Sequence, residues 1–178
     1  MDFLATDYGP TVLEILAMGE HGLRPMPLAP SGPSSIEAKE HLKTLSAVGL
    51  FPEARAPEAA LCGLYLYFSC LDEGHTLAQA LETPDGSFWH GIMHRQEPDA
   101  ENAAYWFRRV GKHPVFPTLA AAARGLGYPA GEKWDPLGFI DYCEAARRRP
   151  GSREEKLAMQ VQLVEWQILF DYCAAKLS

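Results

Sequence analysis

Hydrophobic positions along this chain recur at intervals of three and four, the spacing of one face of a helix, and not at the interval of two that marks a strand. Val12, Leu13, Ile15 and Leu16 follow Pro10, whose missing amide costs nothing in a first helical turn, so residues 10–18 are predicted helical. Between Gly19 and Ser35 stand Pro25, Pro27, Pro30 and Pro33 with Gly22 and Gly32. Fixed φ angles and missing donors there predict an extended surface loop over 19–35. Ser34 and Glu37 have the spacing of a capping box, opening a helix that runs to about Val48 and is ended by Gly49 and Pro52. Pro57 opens a third helix with Leu61, Leu64, Phe68 and Leu71 on one face and Tyr65, Leu66 and Tyr67 around the rest. A helix apolar on every side belongs in the centre of a domain. Its end is expected near Gly74.

A short segment over 76–82 follows, and Thr83-Pro84-Asp85-Gly86 reads as a turn. Residues 87–95 and 99–110 read as two helices interrupted at Pro98, with Asp99 capping the second. An alanine-rich helix spans 115–125, Asp135-Pro136 opens another that runs to about Arg149, and Ser152 with Glu155 forms a second capping box. That box starts the longest helix, 153–176, with Leu157, Val161, Val164 and Ile168 on one face and Leu163, Trp166, Phe170 and Cys173 on an adjoining one. The expected fold is all-α, a single compact domain of about seven to eight helices, with the third and the last at its centre.

Composition narrows the function classes. A chain of 178 residues suits one domain, and it can bury enough surface to fold without disulfides or metals. Lys+Arg 16 against Asp+Glu 23 gives a net charge of -7, which argues against a nucleic-acid partner, since binding a phosphate backbone needs a basic face. The longest apolar run, Ala59 to Phe68, is short of a bilayer span, so no membrane partner is expected. The opening Met1-Asp2-Phe3-Leu4 lacks a basic stretch leading into an apolar one, and a cytoplasmic location is expected. Cys62, Cys70, Cys143 and Cys173 contain no Cys-x-x-Cys and sit in helical apolar patterns, as buried free thiols do. An exposed face on the last helix would suit a homodimer.

Candidate chemistry concentrates between Ser87 and Pro114, which holds His90, His94 and His113 with Trp89 and Trp106. His90 and His94 are four apart, so on a helix their rings leave the same face one turn from each other and can reach one cation. Glu97, three residues on, offers a carboxylate. Two histidines and a carboxylate suit one divalent metal: zinc, iron, manganese or nickel. His75 and His113 join as ligands only if folding brings them close. Two other readings stand beside this one: a packed, hydrogen-bonded histidine network, and direct recognition of an organic ligand. Arg95 and Arg109, with Asp99 and Asn102, form a candidate ligand-binding set, because an arginine fork holds a carboxylate bidentately. The alternative for Arg95 is an ion pair with Glu97 or Asp99. On the last helix Glu165 lies among apolar neighbours and needs a partner if buried, with Arg108, Arg109 or a histidine as the expected choice.

The run Phe88-Trp89-His90-Gly91-Ile92-Met93-His94-Arg95, then Glu97-Pro98-Asp99, Asn102, Tyr105 to Gly111 and His113-Pro114, resembles the signature of a family of uncharacterised microbial proteins. In that pattern a second basic residue often follows the position of Arg95, where this chain has Gln96. The resemblance covers 64–116 and, more weakly, 165–173. It implies membership and singles out His90, His94, Arg95, Glu97, Asp99 and Asn102, with no assigned activity. Two functions follow from the residues. One is a small-ligand or divalent-metal site over His90–Asp99, extending to a metal-dependent enzyme acting on a small acidic substrate. The other is a non-catalytic binding or interaction protein whose His/Arg/Glu cluster is an internal network.

Overall fold

The computed structural model describes residues 8–176, so the expectation placed on Met1 to Leu4 lies outside the described residues. Among these residues every regular element is a helix, without a strand; one isolated bridge joins Ala54 to Lys176. The helices are α1 (Pro10–Ala17), α2 (Ile36–Lys43), α3 (Ala47–Leu50), α4 (Pro57–Tyr67), α5 (Leu71–Ala80), α6 (Pro84–Gln96), α7 (Ala100–Val110), α8 (Phe116–Gly125), α9 (Pro136–Arg147) and α10 (Arg153–Ala174). A 3-10 turn over Glu20–Gly22 follows α1. The all-α expectation holds, with all helices in one compact domain, and seven to eight is slightly too few for the ten observed.

Two breaks account for the difference. The segment expected as one helix from Ser34 to Val48 stops at Lys43, and Ser46 starts a new short helix by accepting from the Gly49 amide. The third helix ends at Tyr67 and not near Gly74, which lies inside α5. Gly74 is there for space: a Cβ on it would stand 2.6 Å from Leu66 Cδ2. Cap positions shift in the same way. Ser35, not Ser34, caps α2 by accepting from Ala38 N at 3.1 Å, while the Ser34 amide donates to Phe68 O. Thr83 to Gly86 is no free turn, since Thr83 Oγ1 accepts from Gly86 N and the rest is the first turn of α6. Ser152 caps α10 as expected, but Glu155 accepts from the Gly151 amide, one residue before the cap.

Two helices are buried along almost their whole length: α4 from Ala59 to Tyr67 and α6 from Gly86 to Gln96. The sequence placed α4 at the centre; α6 joins it there because glycines on both helices let neighbours close in. A Cβ at Gly63 would meet Trp89 Cζ2 at 2.8 Å, and one at Gly91 would meet Phe107 at 2.8 Å, so α4, α6 and α7 pack at short range. Helix α10 crosses this layer, tied by the Trp166 indole donating to Gly63 O at 2.7 Å. The segment 19–35 is irregular as predicted but not wholly a surface loop. Met26 and Leu28 are in the core, and the Gln162 amide donates to the carbonyls of Met26 and Pro27. All four cysteines are free and buried, and among the described residues no helix is long and apolar enough to cross a membrane.

Candidate metal centre

Helix α6 carries His90 and His94 on one face, one turn apart, and α5 packs along it with His75 facing the pair. One ligand atom from each of His75, His90 and His94 lies within 4.8 Å of the others. The His90 and His94 rings are stacked, 4.8 Å between centroids and 13° between planes, and His75 stands edge-on to both. Trp106, from α7, lies flat on His90 with centroids 3.8 Å apart. His90 is 2% exposed and His94 8%, whereas His75 is half-buried.

The nitrogens of this group are short of partners. Neither Nδ1 nor Nε2 of His90 has a hydrogen-bond partner among the described residues. His94 Nδ1 lies 3.1 Å from Glu97 Oε2, within ion-pair reach but off the direction of a hydrogen bond. Burial, reinforced by His94 and His75, pushes the His90 imidazole down to about 3. Burial also lowers His94, outweighing the carboxylate of Glu97. Both rings are therefore neutral at pH 7, the form that offers a lone pair to a metal. The group His75, His90 and His94 can hold a metal ion, as three imidazole nitrogens with open positions left for water or substrate.

The sequence-based ligand set differs from this group at one place. His90 and His94 are present, but the third converging residue is His75, and Glu97 lies outside the group. Glu97 caps the end of α6 and stands beside His94 Nδ1, where an orienting carboxylate would stand. His113 is elsewhere: its Nε2 meets Asp85 Oδ1 at 2.8 Å and its Nδ1 faces the Val115 amide, pinning the α7–α8 turn to the start of α6. No local spacing points to His75. The expectation of a helix break at Gly74 hid the face of α5 on which it stands.

The four proposed ligand-binding residues are scattered. Arg95 is inside the core, its guanidinium fork on the Glu165 carboxylate, its Nε donating to Gln162 Oε1 at 3.1 Å and its plane over the Phe139 ring. Burial pushes the Glu165 carboxyl up, and the Arg95 guanidinium pulls it the other way. Glu165 thus finds Arg95, not Arg108, Arg109 or a histidine, and Arg95 meets neither Glu97 nor Asp99. Asp99 caps α7, accepting from the Asn102 amide at 3.1 Å and from Asn102 Nδ2 at 2.6 Å, so these two residues serve each other. Arg109 is exposed, its guanidinium 5.4 Å from the Trp106 ring centroid, and it lines a shallow cleft with Ser87. No protein-family model, curated protein sequence or solved structure matches this chain.

Proposed function

We propose that the protein binds one divalent transition metal through His75, His90 and His94, and that this ion serves chemistry on a small molecule. The observation that carries the reading is the convergence of three imidazole ligand atoms within 4.8 Å around buried nitrogens of His90 that no group among the described residues satisfies. A buried polar atom without a partner costs free energy, and coordination supplies the partner. Nitrogen donors favour zinc, nickel or iron over manganese. With three protein ligands such an ion would activate a bound water or polarise a substrate oxygen. Glu97 would orient His94 from its other nitrogen, and Trp106 would hold the plane of His90. Arg95 is engaged with Glu165, so Arg109 is the arginine of the expected set open to an acidic group on a substrate.

The test is elemental analysis of protein purified without affinity tag or chelator. About one equivalent of metal per chain, lost in both His75→Ala and His94→Ala with helical content unchanged, supports the site. Its absence after reconstitution overturns it. The stacking of Trp106 on His90 favours a second reading, an aromatic packing cluster. In that case His94→Ala lowers the melting temperature of metal-free protein and added metal raises it in neither form.

A further inference from the structure

A cavity of about 530 Å³ lies between the turn after α7, the start of α8 and the loop leading into α9, within the range of small-molecule sites. It shares no lining residue with the histidine group. Phe116, Pro117, Trp134 and Pro136 give it apolar walls. Trp134 is fixed from behind by Tyr128 and Phe139, with ring centroids 5.8 and 5.2 Å away. It is 5% exposed, yet its Nε1–H has no partner among the described residues. An indole N–H is a donor only and usually finds an acceptor when buried.

Charge around this cavity runs against that of the chain. Lys112 and Lys133 line it, both are exposed, and neither joins an ion pair among the described residues. Glu132 is the opposing charge on the same lining, which leaves the rim cationic in a protein of net charge -7. Phe116 and Pro117 are also the first residues of α8, which begins without a side-chain cap and without an acidic residue in its first turn. Its first amides are engaged, Val115 N on His113 Nδ1 and Phe116 N on His113 O, and Pro117 has none, so the cations on this rim are the two lysines. His113 contributes ring surface, both of its nitrogens being turned to Asp85 and the Val115 amide.

We propose that this cavity binds a small organic carboxylate with an aromatic or branched apolar body. The body packs on Phe116, Pro117 and Trp134, and the carboxylate turns to Lys112 and Lys133. None of Arg95, Arg108 and Arg109, the arginines between Ser87 and Pro114, lines this cavity. Affinity of this kind needs both halves: apolar burial for strength and the cations to select the acid over its neutral isostere.

Isothermal titration of the full chain with phenylacetate, and with phenylacetamide as its uncharged counterpart, tests the proposal. Saturable one-to-one binding of phenylacetate is expected, about tenfold tighter than the amide. Lys112→Gln and Lys133→Gln, both at exposed positions that leave the core intact, should each weaken it by about threefold without lowering Tm. His94→Ala should leave it unchanged, which separates this site from the metal reading. Equal binding of acid and amide, no saturation by about 10 mM, or indifference to both lysine variants would overturn it.

Discussion

Trp106 lies flat on His90, ring centroids 3.8 Å apart and planes 15° from parallel, so the indole of α7 fixes the orientation of an imidazole on α6. Among the described residues His90 has no hydrogen bond to do this work. Trp106→Leu keeps an apolar side chain but removes the flat wall. The variant is expected to lose about 1 kcal/mol of stability from the ring pair. It should also lower metal affinity several-fold while leaving stoichiometry at one. Denaturant titration and a competition assay with a metal-binding dye read the two effects separately. Unchanged affinity would show that His90 is oriented by something other than Trp106.

The position of Glu97 separates a ligand from an orienting carboxylate. Its Oε2 is 3.1 Å from His94 Nδ1, and it is not among the three converging ligands. Glu97→Gln should therefore retain one equivalent of metal and weaken its affinity about tenfold, as loss of an outer partner does. Loss of the metal altogether would restore Glu97 to the coordination sphere, as the His90, His94 and Glu97 spacing suggests from sequence.

The helices were legible because their apolar period, prolines and caps are local properties. Pro10, Pro57, Asp99, Pro136 and Ser152 each open a helix where the chain says they should. What could not be read is what tertiary packing decides. Gly74 has the composition of a helix stop but sits under Leu66 as a space-saving residue within α5. Ser34 and Ser35 are equally good caps by type, and the Phe68 carbonyl claims the Ser34 amide, leaving Ser35 for the role. Two of the three histidines of the group were visible, since His90 and His94 share a helix. His75 belongs to another helix, and only the packing of α5 on α6 brings it in.

Metal-free protein should lose stability as pH falls through the range below neutrality. His90 is held at about 3 in the folded state, against about 6.5 in an unfolded chain. Between those values the unfolded chain binds a proton that the folded one refuses, so folding stability declines as pH drops from 6.5 towards 3 and levels off below it. His94, also lowered by burial, acts in the same direction. The loss by pH 5 should be on the order of 2 kcal/mol, and His90→Gln should flatten the slope. Urea titrations of chelator-treated protein at pH 7, 6 and 5 measure it. A flat profile over that range would show that His90 is protonated equally well in both states.

Arg95 and Glu165 are 1% and 0% exposed in their side chains, and each is the other's charge partner deep between α6 and α10. Removing either alone strands a buried charge, at a cost of roughly 3–5 kcal/mol. Arg95→Met and Glu165→Leu should therefore each destabilise severely. The double variant should recover much of the loss, because an apolar pair of similar volume needs no desolvation to be repaid. Gln162 tempers the recovery, since its Oε1 loses the Arg95 Nε donor while its amide stays on the carbonyls of Met26 and Pro27. A denaturation cycle over the two singles and the double gives the coupling directly. Additive effects would mean that the pair contributes nothing as a pair. A stable Arg95→Met that had lost only small-acid binding would instead return Arg95 to the role its guanidinium fork suggested in the sequence.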